Sequence, residues 1–215
     1  MLRGDAGALH DRPIETVARV ETLQIDRAAV VLGSTQSFDV VNVERAKERG
    51  FDVVRRRSGG GVVILQPSDH VWIDVTVPRG HELWSDDVER ATWWLGEVWC
   101  DALRVATQRD TWSVHREKLV ATAPQRTVCF ASVGPGEVVE LDGRGNVHKV
   151  VGVSQRRTKD AARFQCTVFR AVDASLYGEF MRESPPESLS EAMGVGDALV
   201  DLAQRVRERL SAALG

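Results

Sequence analysis

Cysteine is scarce in this chain of 215 residues, with three in all, Cys100, Cys129 and Cys166. They are odd in number, far apart and form no C-x-x-C pair, so neither a disulfide framework nor a zinc knuckle is suggested and a reducing compartment is expected. Long apolar runs are missing too. Nothing approaches the ~20 apolar residues of a membrane span, and Asp5, His10, Asp11 and Arg12 stand where a signal peptide needs an apolar core. These absences predict a cytoplasmic protein with no membrane partner. Neither sign of charge dominates: 28 Lys and Arg face 31 Asp and Glu, for a net charge of −3. A protein that coats nucleic acid would be strongly basic, so no nucleic-acid partner is expected. Repeats, low-complexity tracts and metal-ligand clusters are also lacking, and the length suits one compact domain.

What is present reads as alternating short strands and two long helices. Ala28 to Leu32 is an apolar run closed by Gly33, and Val40 to Arg49 looks helical and stops at Gly50. Phe51 to Arg57 runs extended into three glycines, and Val62 to Leu65 leaves them as a strand. Val71, Ile73, Val75 and Val77 alternate with Trp72, Asp74 and Thr76, the period of a half-buried strand. From Ser85 the period becomes helical, through Val88, Ala91, Leu95, Val98, Ala102 and Val105, with Ser85 or Asp86 as N-cap. Strands are predicted at Thr127 to Phe130, Val138 to Leu141, Lys149 to Ser154 and Phe164 to Phe169, with a mobile turn around Asp142 to Asn146. Leu199, Leu202, Val206, Leu210 and Leu214 mark a closing amphipathic helix. The sum favours an α+β domain, a mixed β-sheet layered with helices on one face, over a doubly wound parallel sheet.

Two segments carry chemistry. In Arg55-Arg56-Arg57-Ser58-Gly59-Gly60-Gly61 the glycines let the main chain reach positive φ and present its N–H groups to a carboxylate or phosphate. Arginines in an extended segment point to alternating sides, so all three cannot face one ligand. In Lys149-Val150-Val151-Gly152-Val153-Ser154-Gln155-Arg156-Arg157 a lone lysine opens an apolar strand. Read singly, the first is also compatible with a flexible turn and the second with a charged strand edge. Cys100, among Trp94, Leu95 and Trp99, reads as core. His70 and His148 read as exposed or locally bonded residues, and Arg156, Arg157, Lys159 and Arg163 read as a solvated basic stretch or as a contact for phosphates or an acidic partner.

Taken in order, R-R-x-S-G-G-G and then K-x-x-G-x-S-Q-R-R resemble the lipoate-protein ligase and octanoyltransferase superfamily. Leu32-Gly33-Ser34-Thr35-Gln36 is similar to that family's L-G-x-x-Q segment, so the likeness runs from about Ala28 to about Phe169. It implies the biotin/lipoate protein ligase catalytic fold, as a single catalytic domain over 1–215 without a C-terminal accessory domain. It also implies that Arg55, Arg56, Ser58, Gly59, Gly60, Gly61, Gly152, Ser154 and Gln165 bind the acyl substrate. Lys149 would neutralise charge at the reacting carbonyl, and an apolar tunnel would hold the tail at ~0.8 kcal/mol per buried methylene. Cys129 resembles the thioester-forming nucleophile of the octanoyltransferase branch. The chain departs from the family at Leu65-Gln66, which follow the glycine loop where His-Asp is usual, and at Gln165-Cys166, where His-Gly is usual.

Three activities follow from the resemblance. The first is an ATP-dependent ligase that activates lipoate or a related medium-chain acid, with Mg²⁺ accompanying the nucleotide, and transfers it to a lysine of a lipoyl-type acceptor domain. A separate accessory chain could supply what the short C-terminus lacks. The second is an octanoyl or lipoyl transferase acting through Cys129 with no cofactor. The third is a non-catalytic acyl-binding homologue.

Overall fold

The computed structural model describes residues 1–141, 146–192 and 194–215, and the turn expected around 142–146 lies, Asn146 apart, outside them. In chain order the strands are β1 (Leu2–Gly4), β2 (Arg19–Ile25), β3 (Ala29–Leu32), β4 (Asp52–Arg55), β5 (Val63–Leu65), β6 (His70–Pro78), β7 (Trp112–Val114), β8 (Val138–Leu141), β9 (Val147–Arg157) and β10 (Ala161–Phe169). The helices are α1 (Ala6–Asp11), α2 (Val43–Glu48), α3 (Trp93–Thr107), α4 (Ala174–Phe180) and α5 (Leu199–Ala213). Seven strands form one sheet in the order β1-β2-β6-β10-β9-β8-β7, parallel at β1/β2 and antiparallel elsewhere. A smaller sheet, β4-β3-β5, is parallel at β3/β4 and antiparallel at β3/β5. This is the mixed, layered α+β architecture that the alternation of strand and helix periods calls for.

The layers follow from side-chain alternation. On β6 the odd residues Val71, Ile73, Val75 and Val77 pack with Leu95, Trp99 and Leu103 of α3 and with Leu202, Val206 and Leu210 of α5 in one core. The even residue Trp72 faces the other way and joins a second core with Leu32, Ile64, Leu65 and Leu9, which belong to the small sheet and α1. Strand β6 is therefore buried on both faces and not half-buried, since Trp72, Asp74 and Thr76 are all buried. Alternation alone does not reveal the second cover, because it comes from residues distant in sequence.

Two further expectations are corrected. The α-helix begins at Trp93, well after Ser85, because Ser85 and Asp87 spend their side chains on local turns: Ser85 Oγ accepts from Asp87 N, and Asp87 Oδ1 accepts from Glu89 N and Arg90 N. Val88 is consequently exposed. The segment predicted as a strand at Thr127 to Phe130 is instead two 3₁₀ turns, Pro124–Thr127 and Cys129–Ala131. Between them Val128 makes a single parallel bridge to Val62. The closing helix forms as predicted, and among the described residues no helix is long and apolar enough to cross a membrane.

Trp99 is fully buried between α3, α5 and the large sheet. We expect Trp99→Ala to lower unfolding free energy by about 4 kcal/mol, seen as a lower denaturant midpoint; an unchanged midpoint would contradict this packing.

Candidate functional site

The glycine loop is organised by Arg56. Its buried side chain turns back into the loop, where Nη2 donates to Gly59 O (2.8 Å) and Gly61 O (2.9 Å) and Nη1 reaches Val31 O at 3.4 Å. Burial pushes its pKa below the ordinary value, yet a guanidinium stays cationic, and no carboxylate pairs with it among the described residues. Gly60 takes φ +98°, and a Cβ on Gly61 would lie 2.6 Å from the Val128 backbone, so these two positions exclude a side chain, whereas Gly59 faces open space. Ser34 N donates to Ser58 O at 3.0 Å. Gln36 ties the loop to the Cys129 turn, accepting from Gly33 N (2.9 Å) and donating to Thr127 O (3.0 Å).

The loop closes over β9 and β10. Ser58 Oγ lies 3.1 Å from Ser154 Oγ and donates to Gln165 Oε1 at 3.4 Å. Gln165 Nε2 donates to Asp74 Oδ1 at 3.3 Å, and Trp72 Nε1 donates to the same oxygen at 2.7 Å. The register sets Ser154, Gln165 and Asp74 side by side, with Gly152, Thr167 and Trp72 in the neighbouring row. Around these rows lies a cavity with about 40 Å³ of free volume, bordered by Arg56, Cys129, Phe130, Leu65, His10 and Trp72. It is far smaller than the tunnel expected for an acyl tail.

Lys149 reaches this region through a β-bulge. Val138 pairs with Val151 but the next residue, Val139, pairs with Lys149, so β9 carries one extra residue there. Val150 and Val151 consequently both enter the α3/α5 core, and Lys149 falls on the face of Gly152, three positions away, where strict alternation forbids it. Both meet Phe130: Lys149 Nζ is 5.4 Å from its ring centre, and a Cβ on Gly152 would touch the ring at 3.3 Å. Lys149 is buried, and its Nζ donates to both oxygens of Glu137, at 2.8 and 2.7 Å. Glu137 also accepts from Gly134 N (2.7 Å) and Val153 N (3.2 Å). Sequence reasoning missed Glu137, which sits in a Gly- and Pro-bearing turn without any motif of its own.

The predicted residues thus divide. Arg56, Ser58, Gly152, Ser154, Gln165 and Cys129 meet at the cavity. Lys149 stands behind Phe130 in its ion pair and does not border the cavity. Arg55 points away, stacking its guanidinium 4.6 Å from the Phe38 ring centre. This is the alternating-side consequence of an extended chain. Gly60 and Gly61 shape the loop from within. Cys100 and Cys166 are core thiols, Cys100 pushed up to about 12 and Cys166 raised further by complete burial. The basic stretch is not one patch: Arg163 is buried, donating to His10 O (2.8 Å) and Arg12 O (3.0 Å), and Arg157 lies over the Trp84 ring. Arg57 pairs with Asp11 at 2.6 Å and, with Arg156 nearby, holds that exposed carboxyl below its ordinary range.

His10 and Asp74 were also missed. His10 stacks on Trp72, ring centres 4.4 Å apart. Burial first, then the Arg56 charge, push it down to about 3, against the opposing pull of the nearby Gln165 amide. Asp74, with Arg12 and Arg163 each 3.7 Å away, is nonetheless pushed up to about 6 by burial. A charged residue inside an otherwise apolar strand was the available signal for Asp74; nothing in the sequence brings His10 to the same place.

This architecture recurs in solved lipoate ligases. The bipartite lipoate protein ligase of the Thermoplasma acidophilum lipoylation system aligns with a TM-score of 0.65 at 14% identity, over 98% of this chain and 76% of that one. A lipoate-protein ligase A bound with ATP gives 0.63 at 15%, over 89% and 68%. A putative lipoate protein ligase from T. acidophilum with bound lipoic acid gives 0.62 at 15%, over 98% and 77%. No curated protein sequence matches. The fold is therefore that of the lipoate ligases. The lipoyl protein ligase A/B catalytic domain profile matches residues 9–213, and the chain belongs to that family, a class of ligases and acyltransferases.

Two outcomes test the site's electrostatics. Glu137→Gln leaves the buried Lys149 ammonium without its counter-charge and should cost roughly 3 kcal/mol or more of stability, read from urea midpoints; a change below about 1 kcal/mol would mean the pair is not buried in solution. Burial lowers the pKa of both His10 and His70, from 6.5 to about 3 and about 4, so folding loses stability as pH falls below 6.5. Asp74, raised from 3.8 to about 6, acts oppositely, since in that range only the folded state holds its proton. The sum between about pH 4 and 6 is two protons minus one, or roughly 1.4 kcal/mol lost per pH unit of acidification. His10→Phe should remove one proton and flatten that slope; an unaltered slope would place His10 in solvent.

Proposed function

We propose that this chain is an ATP-dependent ligase for lipoate or a related medium-chain acid, transferring the acyl group to a lysine of a lipoyl-type acceptor protein. The observation that carries this reading is the Ser58–Ser154 contact of 3.1 Å, which joins the glycine loop and the G-x-S segment of β9 around one cavity. The similar proteins that bind ATP and lipoic acid support it. In the first step the acid's carboxylate displaces pyrophosphate from ATP to give an acyl-adenylate. In the second, the acceptor lysine's amine attacks the acyl carbon and AMP departs. ATP supplies the leaving group, for which Arg57 and Arg156, both near Asp11, and the open face of Gly59 offer cations and an N–H donor. Lys149 serves the developing oxyanion only as its ammonium exchanges Glu137 for the substrate oxygen, so the ion pair is its resting position.

A second reading has its own observation, since Cys129 is only partly buried and borders the same cavity beside Arg56. There the Cys129 thiolate would take the acyl group from a carrier, releasing the carrier's leaving group with a proton, and pass it on to the acceptor amine without ATP.

Incubation with ATP, Mg²⁺ and a panel of medium-chain acids separates the two. The ligase reading expects acyl-AMP and pyrophosphate, a ~10²-fold loss in Lys149→Ala, and no loss in Cys129→Ser. A thioester on Cys129 seen by intact mass, with transfer abolished in Cys129→Ser and no acyl-AMP, establishes the transferase in its place.

A further inference from the structure

The cavity is not apolar throughout, and its polar end lies away from Lys149. The Lys149–Glu137 pair sits where β9 meets β8, whereas His10 stacks on Trp72 of β6, beyond β10. From β9 to β6 is two inter-strand spacings, ~9.6 Å. An acyl chain whose carbonyl faces Lys149 and which crosses the sheet along these rows, displacing the Phe130 side chain and widening the cavity of about 40 Å³ as it enters, brings its far end to His10.

That end is furnished for hydrogen bonding. His10 is 5% exposed and borders the cavity, and neither ring nitrogen closes a hydrogen bond of good geometry to a described residue, although the Gln165 amide lies near enough to pull on it. Buried polar groups are nearly always satisfied, so an imidazole orphaned at a cavity wall points to a partner brought by a ligand. Gln165 stands beside it, with its amide already oriented by Asp74 and Ser58. Arg56 adds a buried positive charge that no described carboxylate neutralises. Among the described residues, the aliphatic side chains on the cavity wall are Val63, Leu65 and Val153.

We propose that the acyl group this cavity accepts carries a hydrogen-bond-accepting oxygen at its distal end, a hydroxyl or a carboxylate, received by His10 and Gln165. The inference rests on the acyl-pocket reading above and narrows its substrate class. A bare methyl end would leave His10 unsatisfied on binding, as would a dithiolane, whose sulfurs are weak acceptors.

Calorimetric titration of the unmutated protein with octanoate, ω-hydroxyoctanoate and octanedioate provides the test, with no dependence on ATP or turnover. At least one ω-oxygenated acid should bind about tenfold or more tighter than octanoate, and which of the two is preferred identifies the oxygen. In His10→Phe that advantage should fall to parity while octanoate still binds. Gln165→Leu, on a different element, should reduce it as well. If octanoate binds the unmutated protein as tightly as both ω-oxygenated acids, the proposal is overturned and the acyl pocket stands. If none of the three binds, the acyl-pocket reading fails and takes this proposal with it.

Discussion

The cavity depends on one buried guanidinium. Arg56 spends its donors on the carbonyls of Gly59, Gly61 and Val31, so the loop is curled around a cation that belongs to the loop itself. A flexible run of glycines would otherwise sample many conformations, and fixing each residue costs about 1–2 kcal/mol. The staple holds Gly60 at positive φ and presses Gly61 against Val128, and this brings Ser58 over Ser154 and the Cys129 turn to the cavity edge. A buried charge with no counter-ion is expensive. Its presence at a cavity wall is the feature that most directly asks for an anionic or oxygen-bearing guest.

A second constraint is the bulge in β9. By inserting Val150 into the α3/α5 core beside Val151, it rotates Lys149 onto the cavity face of the sheet. Glu137 then meets the ammonium from the preceding turn, using two backbone N–H groups to fix its own carboxylate. Without the extra residue, Lys149 and Gly152 would lie on opposite faces. The K-x-x-G spacing has a geometric meaning only because the strand is irregular there.

Much of the layout was legible beforehand. The 2.0 and 3.6 periods gave most of the strands and the closing helix, since each face packs against a continuous core. The two motifs together pointed to the family, and Ser58, Gly152, Ser154, Gln165 and Cys129 do converge. The failures share a cause. Thr127 to Phe130 has strand-forming residues but only one bridge, and Ser85 and Asp87 form turns that delay a helix the periodicity would start earlier. In each case local hydrogen bonding overrode propensity. His10, Asp74 and Glu137 escaped notice because they enter the site from a short helix, a strand and a turn distant from either motif.

By itself the sequence determined the α+β layering and the pairing of a glycine loop with a lysine-bearing strand, because these rest on periodicity and on residue types whose backbone or charge is special. It also determined that Cys100 is a packing residue. The tertiary structure alone decided that Arg55 leaves the site while Arg56 builds it, that Lys149 rests against Glu137, and that β6 is covered on both sides. It alone decided, too, that a histidine from the N-terminal helix closes the far end of the cavity. Those outcomes depend on which distant segments come to lie within hydrogen-bonding reach, and reach across a fold is set by packing and not by spacing along the chain.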